Sequence, residues 1–537
     1  MIIRRTPPRS LRPDEPIRHR DAHKRPVTRR DFIAQGFMSG AATVVVPTAL
    51  ALLANPRIAR ALDPDIQALK VSCGITGGAG KIPFICFDLA GGGNIAGSNA
   101  LVGGAGGQLD FLPAAAYAKM GLPGNMVPNA PQAGVAGSDH IERRFGLLFH
   151  SDSAHVRGML ASTTPATQAL TSGAVIAAKS ENDTGNNPHN PMYGIARAGA
   201  KGELLTLLGS IASTSGGNSM APLSMVDPTL TPTVVTRAAD VTGLVDTGVL
   251  GKLFANPADA VSVLESMSRI SGQKLARVDT KLLNGNDALV KTAANCNYVK
   301  TSYLAENFSN PAALNPDIDP QIVGPSGIFS QAEYDADSEF RKTAAIMKMV
   351  INGYGGAGTI TMGGYDYHGQ GRSTGELRDF RAGRCIGACL EYARRVGKPV
   401  MVYVFSDGGI SADGTVDNTV DGRGKFMWSS DNQSTAATYF LVFNPTAKPT
   451  LFDGGGGLPA ARHQQIGAVA PDGSQDLSSS PAANNVLLLN QAVILNYMAL
   501  HGETGLFTTL FPDQGLGNAA ALDALTAFVP IVNGKIA

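Results

Sequence analysis

The chain has 537 residues, of which 44% are hydrophobic and 16% charged, against roughly 25% charged in an average soluble protein. That is core material for one large domain or several ordinary ones, and its 63 glycines and 32 prolines stay below the proportion that marks disorder. The net charge of +1 hides two opposed segments: residues 1–61 hold 12 basic and 4 acidic side chains, the remainder 32 and 39. The mildly acidic body argues against nucleic acid as a partner, and a single Trp argues against an aromatic stacking surface.

The basic N-terminus reads as an address. Thr28-Arg29-Arg30-Asp31-Phe32-Ile33 is a twin-arginine motif, followed by a moderately apolar stretch over residues 32–54 and the small-x-small site Ala59-Arg60-Ala61. The order predicts a leader over residues 1–61, cleavage before Leu62, and the twin-arginine translocase as partner during export. A membrane anchor is the competing reading, weakened by Gly36, Gly40 and Pro47. No later stretch reaches the ~18 apolar residues that span a bilayer. The mature protein is therefore expected in the periplasm or at the cell surface, without a stable membrane span.

Residues 81–90 form a nearly continuous apolar run, as a buried parallel strand should, and end in Gly91-Gly92-Gly93-Asn94. A long loop over residues 94–137 is expected to hold a short helix at 114–120. Residues 152–172 read as helix and 173–178 as another buried strand. Residues 201–345 alternate helix-like stretches with polar loops and read as an insertion or cap within a domain of residues 62–537. Strands follow at 358–362, 399–405 and 437–443, with helices at 374–396 and 486–500. In the first of these helices Leu377, Phe380, Ile386, Leu390 and Ala393 are expected to face the core. Alternating strand and helix predicts an α/β fold with a mostly parallel central sheet and helices on both faces.

Ligands in such sheets sit beyond the carboxyl ends of the strands, where the polar clusters fall. Asp366-x-His368 offers an oxygen and a nitrogen ligand just past a strand, suited to zinc, manganese or calcium. Asp407 adds a carboxylate at the next strand end, and Asp88, His189 or Asp431 could complete the set; a hydrogen-bonded polar edge without metal is the alternative. Ser406, beside Asp407-Gly408-Gly409, is a candidate nucleophile, but no G-x-S-x-G surrounds it and a cap of the following turn is the favoured reading. His150, Asp152 and His155 either line the same edge or cap the following helix. Gly91-Gly92-Gly93 lacks G-x-G-x-x-G and P-loop spacing, so no nucleotide cofactor is expected; it reads as a tight turn. The five cysteines include no CxxC, and Cys385 and Cys389 are badly placed to bridge each other; one disulfide is allowed.

In order, Gly92-Gly93-Asn94, Arg144-Phe145-Gly146-Leu147-Leu148-Phe149-His150, Asn187-Pro188-His189-Asn190, Gly364-Tyr365-Asp366-Tyr367-His368, Ser406-Asp407-Gly408-Gly409 and Ser430-Asp431-Asn432 resemble the pattern of a large bacterial family of unknown function. That family is exported by the twin-arginine route and has an alkaline phosphatase/sulfatase-like fold. The likeness spans about residues 80–460. It departs at Ile95, where relatives often carry an acid, and at Asn432, where they carry histidine. The resemblance implies a metal-dependent hydrolase of phosphate or sulfate esters, with Asp366, His368 and Asp407 as preferred ligands. The two departures point instead to a non-catalytic binding or assembly protein on a degenerate version of the fold.

Overall fold

A computed structural model of the chain describes residues 62–73, 80–130, 139–180, 187–245, 257–279, 286–307, 311–369, 371–432, 436–453 and 459–536. The expected leader, residues 1–61, and residues 181–186 of the loop before His189 lie outside them. The helices used below are α1 (Pro64–Ser72), α2 (Ala154–Ser162), α3 (Met192–Arg197), α4 (Pro257–Ala276), α5 (Asn286–Asn307), α6 (Ser338–Ile351), α7 (Arg372–Arg395) and α8 (Val486–Leu500). The strands are β1 (Phe84–Asp88), β2 (Ile141–Glu142), β3 (Phe149–His150), β4 (Thr171–Ile176), β5 (Leu205–Gly209) and β6 (Thr233–Val234). They continue with β7 (Gly355–Thr361), β8 (Val400–Phe405), β9 (Ile410–Asp417), β10 (Lys425–Asp431), β11 (Thr438–Phe443) and β12 (Gln465–Ile466).

The chain divides into two compact units. Among the described residues, the first comprises 62–73 and 257–307, the second those of 80–245 and 311–536. In the first, α1 is tied to α5 by a disulfide between Cys73 and Cys296, and Arg269 of α4 binds Asp63 and Asp65, each at 2.7 Å. Bonds of this kind persist in oxidising compartments. No described helix is long and apolar enough to cross a membrane.

The second unit is built on an eight-stranded sheet in the order β12-β4-β11-β8-β1-β7-β5-β6. β1, β4, β7, β8 and β11 are buried on both faces, as the largely apolar runs of β1, β8 and β11 predict; β4 and β7 fit there with small residues. On one face Phe84, Cys86, Tyr403, Phe405 and Phe440 join a core with residues of α3 and α8. On the other, β7 is so close to α6 that a Cβ on Gly358 would lie 2.8 Å from Ile346. α2 meets α7 backbone to backbone; a Cβ on Gly383 would lie 2.2 Å from the carbonyl oxygen of His155, so only glycine fits there. α8 begins where the Asn485 side chain accepts from the Leu488 amide at 3.0 Å, satisfying a donor that the first helical turn leaves without a partner.

The register matters most for the site. Asp88 stands opposite both Thr361 and Phe405, so β1, β7 and β8 end level and their following loops emerge side by side. β11 is antiparallel to both β8 and β4, an orientation the sequence pattern did not predict. It brings the beginning of β11 to the same edge. The antiparallel ribbon β9–β10 was also unforeseen, because β9 is mostly polar and the apolar Phe426-Met427-Trp428 of β10 is too short a run to mark a strand. Within residues 201–345, β5 and β6 join the sheet edge and α6 packs on the sheet, whereas the described residues of 257–307 belong to the first unit.

Candidate metal centre

Among the described residues, one group of acids and histidines has the geometry to hold a cation. Asp366, His368 and Asp431 offer ligand atoms that all lie within 4.8 Å of one another. Nδ1 of His368 pairs with the Asp366 carboxylate and lies 3.2 Å from Asp431 Oδ1. The side chains are 49%, 37% and 41% exposed, in chain order, so a held ion would keep open positions toward solvent. Two carboxylates and an imidazole are the donor set of hard and borderline divalent ions such as zinc or manganese. Burial raises the Asp431 carboxyl above its ordinary range, and the His368 ring opposes that shift.

Two chain segments build this group. The first is the loop after β7. Asp366 has φ +72°, a left-handed backbone uncommon outside glycine and found at functional sites. Its amide donates to the Gly92 carbonyl at 2.8 Å, and the neighbouring Tyr365 and Tyr367 rings are buried. The loop is thus pinned below while Asp366 and His368 face outward. The second is the ribbon, whose last strand ends at Asp431. A buried charge cluster clamps it to α7: Lys425 Nζ lies 2.8 Å from Glu376 Oε1, and Arg372 lies 2.6 Å from the same oxygen and 4.3 Å from the Trp428 ring centroid. Burial opposes ionisation of Glu376, but Lys425 and Arg372 outweigh it and hold the carboxyl down to about 2.

The other candidates fall outside the three-residue group. Asp88 is buried, and its carboxylate accepts from the amides of Asn218 (2.8 Å) and Ser219 (3.0 Å) and from the hydroxyls of Ser219 (2.8 Å) and Thr361 (3.1 Å). Burial nevertheless raises it to about 6. Asp407 Oδ1 accepts from the Gly91 amide at 2.7 Å, so it braces the glycine turn. Ser406 does the same, accepting from the Gly93 amide and donating to the Leu89 carbonyl, both at 3.0 Å. His189 is buried, stacked on Phe405 with ring centroids 5.9 Å apart, and burial lowers it to about 3.

His150 and Asp152 do not line the edge. His150 is buried against the Met126 carbonyl at 2.8 Å, and Asp152 binds Arg423 and Lys425. Ser153 caps α2. Leu377 is 55% exposed, a correction to the expected core face of α7. Glu376 and Asp379 turn inward instead, because each has buried partners that a solvated face could not supply.

Sequence reasoning did not single out Tyr365, Tyr367 or Asp379. The available signal was helical spacing: Gly375, Asp379, Ala382 and Ile386 recur on one face of α7, with an acid among small and apolar residues. No family model, curated protein or solved structure matches the chain.

Proposed function

We propose that the protein is an exported, metal-dependent hydrolase acting on phosphate or sulfate esters, with Asp366, His368 and Asp431 as ligands. One observation carries this reading. Three ligating side chains from two separate segments converge, open to solvent, at the carboxyl edge of a largely parallel sheet, the place where such folds bind substrates. A bound divalent ion supplies a Lewis acid that polarises an ester and stabilises developing negative charge. The chain's own part is positioning: Asp366 and His368 are presented by a pinned loop and Asp431 by a clamped ribbon, so the donors are preorganised. The twin-arginine motif and the disulfide support export.

The degenerate, non-catalytic reading also has an observation in its favour. Ser406, the candidate nucleophile, has both its hydrogen bonds to backbone groups, and Asn432 replaces the histidine of the resembling pattern. The deciding experiment assays the full mature chain, loaded with zinc or manganese, on aryl phosphates and aryl sulfates. Turnover that disappears in Asp366→Ala and His368→Ala supports the hydrolase. Metal uptake without turnover on either ester favours the binding protein, and no uptake removes the metal from both readings.

A further inference from the structure

Asp379 is buried in α7 at 4% exposure, and four groups converge on its carboxylate. Tyr365 OH donates to Oδ1 at 3.1 Å, and Tyr367 OH and Asn99 Nδ2 donate to Oδ2 at 3.0 and 2.8 Å. His155 Nε2 stands 3.7 Å from Oδ1. The two tyrosines bracket Asp366 in sequence, and Tyr367 directly precedes His368. Both phenols are raised well above their ordinary range, by burial and then by the Asp379 charge, which keeps them as donors. The Tyr367 oxygen also accepts from the Asn94 amide at 2.7 Å, and Asn99 Nδ2 reaches the Asn94 carbonyl at 2.6 Å. One buried carboxylate thus gathers the loop after β7, the glycine turn after β1 and, through Asn99, the start of α2, where Asn99 Oδ1 accepts from Ser153 and His155.

We infer that Asp379 is a positioning residue for the metal centre: by holding Tyr365 and Tyr367 down, it sets the outward projection of Asp366 and His368. The inference rests on the metal reading proposed above. Asp379 touches neither proposed ligand side chain and acts through the tyrosines that flank them, one step beyond the outer shell whose loss costs about 10–100-fold in metal affinity. The strain at Asp366 gives the device its purpose. A left-handed aspartate persists only where its surroundings over-determine it, and the flanking tyrosines are those surroundings.

The test uses cobalt(II) as probe on the full mature chain, reading affinity and the visible absorption band that reports ligand geometry. Asp379→Asn, Tyr365→Phe and Tyr367→Phe are compared with Glu391→Gln. The last alters another buried acid of α7, one that pairs with Arg394 and Arg395. About tenfold or greater loss of cobalt affinity with an altered band, in Asp379→Asn and either tyrosine variant but not in Glu391→Gln, supports the inference. Should Asp379→Asn fail to fold, Tyr367→Phe, which deletes one oxygen, decides. Wild-type affinity and band in these variants overturn the inference and leave the metal reading standing. Equal loss in Glu391→Gln overturns it too, since general destabilisation then explains the effect. A wild-type chain that takes up no cobalt overturns the metal reading and this inference with it.

Discussion

Gly91 and Asp366 meet so closely that a Cβ on the glycine would lie 2.7 Å from the Cβ of the aspartate. Gly91 also has φ +109°, a conformation that side chains rarely adopt. The turn after β1 and the loop after β7 are therefore shaped against each other. Gly91→Ala is expected to lower stability by about 2 kcal/mol or more, from backbone strain plus contact, and to weaken cobalt binding at Asp366. Calorimetry and metal titration on the same variant check both parts. A variant with wild-type midpoint and affinity shows that the two loops yield independently.

The disulfide joins positions 223 residues apart in sequence and holds the start of the described chain to α5. Removing a bridge that closes a long loop typically costs about 2–5 kcal/mol. Cys73→Ser is expected to make residues 257–307 more sensitive to limited proteolysis while the sheet unit keeps its protection. Mass spectrometry of the early fragments reads this directly. Early cuts spread evenly over both units would show that the bridge stabilises the chain as a whole.

Much of the sheet was legible because buried strands leave largely apolar runs: β1, β7, β8 and β11 stand close to where those runs lie, and helix α8 matches its own apolar stretch. The strand-end rule put Asp366, His368 and Asp407 first and Asp88, His189 and Asp431 second, whereas the structure groups Asp366 and His368 with Asp431. Three things were not legible, each for a physical reason. The direction of β11 leaves no trace in a continuous apolar run, since both orientations bury the same side chains. The ribbon β9–β10 buries only isolated positions such as Ile410, Lys425 and Trp428, so no alternating pattern is written along it. Asp379 reads as a solvated helix position until the hydroxyls of Tyr365 and Tyr367 are seen to point at it, because its partners come from distant sequence. Ser406 and Asp407 were found at the right place, but as braces of the glycine turn.

His150, His189 and His501 are buried, and burial holds them down to about 3, 3 and 4, below the ordinary value of about 6.5. A depressed histidine contributes stability that is present above its unfolded value and lost as pH falls. By pH 5 each has lost about 2 kcal/mol, together about 6, against a total of roughly 5–15 for a typical domain. Acid unfolding is therefore expected between about pH 4 and 5, with a steep proton dependence. His189→Phe separates one contribution. Neither ring nitrogen of His189 has a hydrogen-bond partner among the described residues, and phenylalanine can keep the stack on Phe405. The variant should move the acid midpoint downward and raise stability at pH 7 by about 1 kcal/mol or more. Lower stability at pH 7, or loss of bound metal, would mean that the imidazole has a polar partner in the working protein.

Asp88 acts in the opposite direction. Its carboxyl is raised to about 6, by burial first and by the Asp407 charge among the lesser causes. An acid raised on folding contributes stability that is complete below its unfolded value, about 3.9, and is lost as pH climbs through 6. Above that pH the buried charge costs about 3 kcal/mol. Asp88→Asn removes the charge while keeping most of the network. Its amide oxygen can accept from the Asn218 and Ser219 amides, and the Ser219 hydroxyl can turn to accept from the new NH2. The asparagine variant is therefore expected to equal or exceed wild type in stability at pH 7 and to lose that advantage by pH 4. Asp88→Ala, which strands two amides and two hydroxyls, should be destabilised at both. Urea titrations at the two pH values check the crossing. If Asp88→Asn is destabilised at pH 7 but matches wild type at pH 4, the charge itself is needed at this strand end. Asp88 would then belong with the metal ligands and not with the bracing of the 218–219 turn.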